Sequence, residues 1–103
     1  MAFYLTSTTA DDEAVITLVG EVDVYTAPQV RDELQALIER GARRVVVDMA
    51  GTAFIDSTGL GVLVTALKRL AAHGGSLVVR KPDHQARSAI RVTGLDAVFD
   101  IED

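Results

Sequence analysis

The chain has 103 residues, 49% of them hydrophobic, with ten basic and fifteen acidic side chains and a formal charge of -5. That is the size of one domain with a single core, and the acidic balance argues against nucleic-acid binding, which rests on neutralising phosphates. No cysteine is present, which removes disulfides, Cys-ligated zinc and thiol catalysis. No apolar run approaches the roughly 18–20 residues of a membrane span, and Met1-Ala2-Phe3-Tyr4 lacks the basic-then-apolar pattern of a secretory signal. We therefore expect one domain over residues 1–103, acting in the cytoplasm without membrane or nucleic acid.

In chain order, Phe3-Tyr4-Leu5-Thr6 reads as a short strand, Asp11-Asp12-Glu13 as a turn, and Ala14 to Val19 as an apolar strand ending at Gly20, so the chain opens on an antiparallel hairpin. Thr26-Ala27-Pro28-Gln29 has the form of a capping box, with Thr26 as N-cap and Pro28 tolerated in the first turn. Val30, Leu34, Leu37 and Ile38 then make one helical face, and Gly41 suits the position just past the helix. Arg44-Val45-Val46-Val47-Asp48 is apolar without alternation, as in a parallel strand buried on both faces.

A second helix, expected over about Thr58 to Ala72, places Leu60, Leu63, Val64, Leu67 and Leu70 on one face and stops at Gly74-Gly75. Leu77-Val78-Val79 is the next strand, Asp83 caps a third helix running to Gly94, and Leu95, Val98, Phe99 and Ile101 close the chain with an apolar segment, in part a short strand. The order β-β-α-β-α-β-α implies an α/β fold, with right-handed crossovers in a small, mixed, mainly parallel sheet. The basic pairs Arg43-Arg44, Lys68-Arg69 and Arg80-Lys81 fall at element ends and read as solvated edges.

The most informative run is Phe54-Ile55-Asp56-Ser57-Thr58-Gly59-Leu60-Gly61, where a loop becomes a helix N-terminus. Unpaired N–H groups and the helix dipole favour negative charge there. Such a place can host an N-cap, bind an anion, or carry a phosphorylatable hydroxyl. Ser57 alone reads as a cap worth about 1 kcal/mol. Yet Asp56, Ser57 and Thr58 are three candidate caps where one suffices, and Gly59 and Gly61 each cost about 1 kcal/mol of helix propensity against alanine. Small residues at those two positions permit close approach by another molecule or a neighbouring backbone.

Enzyme chemistry fits the run badly. A nucleophile elbow needs Gly-x-Ser-x-Gly, and Ile55 occupies the place of the first glycine. His73 lies at the far end of the same helix, roughly 22 Å away at 1.5 Å per residue, too far to act as a base. Gly59-Leu60-Gly61 lacks the lysine of a phosphate-binding loop, and Asp48 and Asp56 have neither metal-ligand spacing nor a histidine partner. Asp48 ends a central strand, as a phosphoacceptor aspartate does in a receiver domain. The acidic pair after the first strand and the late lysine of that fold are missing, however. No cofactor or metal is called for.

Three segments together resemble the STAS domain of the anti-sigma factor antagonist (anti-anti-sigma factor) family: Gly20-Glu21-Val22-Asp23-Val24-Tyr25-Thr26-Ala27-Pro28, then Val45 to Asp48, then Phe54 through Gly61 with Val62 and Leu63. Arg91-Val92-Thr93-Gly94-Leu95 fits the C-terminal pattern, so the resemblance covers nearly the whole chain. It implies the STAS fold, with helices mostly on one face of the sheet, and a partner-switching role.

By that resemblance, the unphosphorylated domain binds an anti-sigma factor that is also a serine kinase, and the sigma factor is released. The kinase phosphorylates the serine after the motif's Asp, which is Ser57 here, with Thr58 as a minor alternative acceptor. A metal-dependent serine/threonine phosphatase restores the binding form. The expected contact residues are Asp23, Asp56, Ser57, Thr58, Gly59, Leu60 and Gly61, and the expected state is a monomer that forms transient heteromers. The alternative is a free-standing STAS module that senses a nucleotide or anion, or scaffolds a signalling complex, without a sigma-factor circuit.

Overall fold

The computed structural model describes residues 2–103. Strands β1 (Tyr4–Ala10) and β2 (Glu13–Val22) form the opening hairpin, followed by α1 (Ala27–Glu39), β3 (Arg44–Asp48), β4 (Thr52–Ile55), α2 (Ser57–Ala72), β5 (Ser76–Arg80), α3 (His84–Val92), a single 3-10 turn at Leu95–Ala97, and β6 (Asp100–Glu102). The sheet runs β1-β2-β3-β5-β6, with β4 pairing β2 beyond the end of β3. Strand β1 is antiparallel to β2, and the pairings β2–β3, β2–β4, β3–β5 and β5–β6 are parallel. The mainly parallel mixed α/β sheet expected from the alternating elements is what forms.

Register aligns Ala14, Val45 and Leu77 in one row and Ile16, Val47 and Val79 in another. Because side chains alternate along a strand, these rows share a face, and they join Val30, Leu34 and Leu37 of α1, Leu60, Leu63 and Leu70 of α2, and Ile90 of α3 in one core. Each such side chain, fully removed from water, contributes about 1.5–3 kcal/mol. The opposite face carries Val15, Val46 and Val78 in register. Val46 is fully buried there although no helix covers it. It is flanked by the ion pairs Arg44–Glu13 and Arg80–Glu102 and the longer Arg44–Glu102 contact. The uniformly apolar β3 is thus buried on both faces, by helices on one side and by an ion-paired lattice on the other.

Three expectations need correction. Gly20 does not end the second strand; β2 continues to Val22, with the register shifting between Gly20 and Glu21. Gly20 has φ +108, and a Cβ there would lie 2.7 Å from the Ala2 carbonyl oxygen, so only glycine fits this irregularity. Second, the segment before Asp56 reads as loop in the sequence but forms strand β4 over Thr52–Ile55. The chain leaves β3, turns through Met49–Gly51, and resumes alongside the second half of β2, with Val22 opposite Ile55. Third, Thr26 does not form a capping box. Its hydroxyl donates to the Glu21 carbonyl (2.8 Å) and accepts from the Asp23 amide (2.9 Å), so it is spent on the loop before α1.

Candidate functional site

The ends of β2 and β4 build the site. Their pairing carries one residue past the strands, where the Asp56 amide donates to the Val22 carbonyl at 3.1 Å. Asp23 and Asp56 therefore leave the sheet at the same end. Among the described residues the other edge of β4 has no strand neighbour. Gln85 of α3 takes that place: its Oε1 accepts from the Ile55 amide and its Nε2 donates to the Ile55 carbonyl, both at 2.9 Å. Sequence reasoning missed Gln85, because nothing in a lone helical glutamine signals a strand edge 30 residues earlier.

Asp56, not Ser57, caps α2. Its backbone is extended and its Oδ1 accepts from the Gly59 amide at 3.0 Å. Ser57 is consequently the first helical residue, and its side chain, like that of Thr58, is exposed. The cap relieves Ser57 of any structural duty and leaves the Ser57 and Thr58 amides at the open, dipole-positive end of the helix. His73 caps the other end of α2, so no general base is carried to Ser57 by its own helix.

Asp23 is committed to its own loop. Its Oδ1 accepts from the Tyr25 amide (2.9 Å) and the Thr26 amide (3.1 Å), and its carbonyl accepts from Ala27 (2.8 Å). This fixes the β2–α1 connection in one shape. Asp23 and Asp56 remain half-exposed while holding backbone, and Asp56 directly precedes Ser57 in the chain.

Of the expected contact residues, Ser57, Thr58 and Gly61 are exposed, whereas Gly59 and Leu60 face inward. Leu60 belongs to the core, and a Cβ on Gly59 would lie 2.7 Å from Val22 Cγ1 and 2.8 Å from Ile55 Cγ1. Gly59 is a glycine because α2 docks closely on β2 and β4. The close approach foreseen there is intramolecular, and these two residues support the surface from beneath. The structure also displays apolar groups that periodicity gave no reason to select: Tyr25 is 85% exposed, Val24 59% and Phe54 37%.

A mainly parallel sheet with helices on one face, and an Asp-capped helix presenting a free serine at the ends of β2 and β4, define the STAS class of regulatory domain. The chain belongs to that family: the family described as "Mlab, STAS domain" matches residues 5–101. Among curated relatives, the anti-sigma-B factor antagonist of Bacillus subtilis (strain 168) is 34% identical over 91 residues, 88% of this chain and 83% of that one. Among solved structures, an anti-sigma factor antagonist from Mycobacterium paratuberculosis superposes with a TM-score of 0.85 at 26% identity, covering 98% of this chain and 86% of that one. The Bacillus cell fate determinant SpoIIAA in its phosphorylated form superposes with a TM-score of 0.76 at 25% identity, covering 99% and 92%. The company is that of anti-sigma factor antagonists, which are regulatory proteins and not enzymes.

Proposed function

We propose that this protein is an anti-sigma factor antagonist whose binding is switched by phosphorylation of Ser57. Unphosphorylated, it engages an anti-sigma factor that is also a serine kinase, and the sigma factor is set free. In the switching step the Ser57 hydroxyl oxygen attacks the γ-phosphorus of ATP held by the kinase. ADP departs, and the hydroxyl proton passes to a base of the kinase. A metal-dependent serine/threonine phosphatase restores the binding form by hydrolysing the phosphoserine O–P bond: water supplies the oxygen, inorganic phosphate leaves, and the Ser57 oxygen regains its proton. The circuit operates in the cytoplasm, where ATP is supplied.

The observation that carries this reading is that Asp56 makes the helix cap, so Ser57 stands exposed at the first position of α2 with no cap to provide. The phosphorylated SpoIIAA structure, of the same fold, supports it. A phosphate on Ser57 adds a charge of about -1.5 to -2. At an effective dielectric near 20, each unit charge about 6 Å from the Asp56 carboxylate repels it by roughly 3 kcal/mol, and the open amides of α2 offset part of this. The bulk and charge therefore fall on the contact surface. Incubating the protein with its anti-sigma kinase and ATP, and locating the phosphate by mass spectrometry, tests the assignment. Phosphate on Ser57 is expected, and phosphate elsewhere, or none, would overturn it.

A further inference from the structure

Gly61 lies one helical turn beyond Ser57, on the exposed side of α2, and a Cβ built there would meet nothing within 4 Å. The fold has no use for a glycine at this position, where alanine is the better helix former. Gly59 is the contrast, since its Cβ would collide with Val22 and Ile55.

Val22 pairs with Ile55 and accepts from the Asp56 amide, so the loop after β2 leaves the same end of the sheet as the first turn of α2; on that loop Val24 and Tyr25 stand in solvent, locked by the bonds of Asp23 and Thr26 described above. An aromatic ring held out by a fixed turn makes no return in packing to this chain. Helices α1 and α2 run side by side, with Arg31 and Leu34 lining one crevice together with Val62, Thr65 and Ala66. One turn back along both helices brings the Tyr25 loop level with the first turn of α2. The exposed apolar pair and the bare turn at Gly61 therefore belong to the two segments that leave this end of the sheet, the second of which carries Ser57.

We infer that Val24 and Tyr25 are the apolar anchor of the anti-sigma factor complex and that Gly61 is its point of closest approach. The inference rests on the antagonist reading of Ser57. Any kinase that phosphorylates Ser57 must cover it, and Gly61 lies about 6 Å further along the helix axis, inside the same footprint. The partner surface is then a pocket that takes the Tyr25 ring, next to a segment whose atoms press against the α2 backbone where no Cβ stands. Aromatic anchors of this kind dominate binding energy at protein interfaces.

The test is titration calorimetry of the anti-sigma kinase of the same organism against wild type, Tyr25→Ala, Tyr25→Phe, Gly61→Ala and a remote control, Val92→Ala, with thermal melts of each. Tyr25→Ala is expected to weaken binding about 30-fold, Tyr25→Phe to stay within about threefold because the ring is retained, and Val92→Ala to match wild type. Gly61→Ala is expected to weaken binding at least about tenfold while melting a few degrees higher, a combination that a merely structural glycine does not give. Tyr25→Ala or Gly61→Ala binding within about twofold of wild type overturns the inference and leaves the Ser57 switch standing. Failure of the wild type to bind overturns both.

Discussion

Two glycines two residues apart in α2 should respond to the same substitution with opposite signs. At Gly61 an added methyl meets nothing within 4 Å, so Gly61→Ala collects the helix-propensity gain of about 0.5–1 kcal/mol. At Gly59 the methyl would sit 2.7 Å from Val22 Cγ1 and 2.8 Å from Ile55 Cγ1. Val22 and Ile55 are fully buried and branched at Cβ, so neither can swing away. Forcing a methyl into such a site costs about 1–3 kcal/mol, which outweighs the propensity gain and leaves Gly59→Ala about 1–2 kcal/mol less stable than wild type. The propensity gain is common to both, so the two variants should differ by the overpacking cost of about 1–3 kcal/mol, and in urea, with a slope of about 1–3 kcal/mol per molar, their midpoints should separate by about 1 M. Equal midpoints, or a Gly59→Ala variant more stable than Gly61→Ala, would refute the argument that one glycine serves the fold and the other does not.

Asp56→Ala should cost about 1 kcal/mol in urea unfolding through loss of the α2 cap, whereas Asp56→Asn, which keeps a capping oxygen, should stay within a few tenths. Gln85→Ala leaves both polar groups of Ile55 without their partner and should cost about 1–3 kcal/mol; faster amide exchange at Ile55 would show that the loss is at β4. Phosphorylation of Ser57 should move amide chemical shifts near Asp23 and from Asp56 to Leu63 only, because the apolar face of α2 is anchored by Leu60, Leu63 and Leu70. Shifts spread through α3 and β6 would contradict a switch that acts by charge and bulk at the surface.

Much of this was legible in the sequence because periodicity and composition decided it. The apolar face of α1 at Val30, Leu34, Leu37 and Ile38, the triple valine of β3, and Gly41, Gly74 and Gly94 past the helix ends at positive φ all stand where local rules put them. What was not legible depends on long-range pairing. Four residues, Thr52–Ile55, make a strand only because β2 offers its second half beyond the end of β3 and because Gln85 satisfies the other edge. The capping of α2 was ambiguous among three adjacent residues, and the pairing of Asp56 with Val22 resolved it by fixing an extended backbone at Asp56. The inward packing of Gly59 and the outward display of Tyr25 follow from how α2 and the β2–α1 loop dock on the sheet, which no local pattern encodes.

The central claim is that the charge state of Ser57 controls engagement of the anti-sigma factor, and calorimetry on a short series of Ser57 forms tests it most directly. Unphosphorylated wild type and Ser57→Ala should bind with affinities within a few-fold of each other, because Asp56 supplies the cap and Ser57 is exposed. Phosphorylated wild type should bind at least about a hundredfold more weakly, the equivalent of roughly 3 kcal/mol, and Ser57→Glu should fall in the same direction. Equal affinity across all four forms would contradict the account.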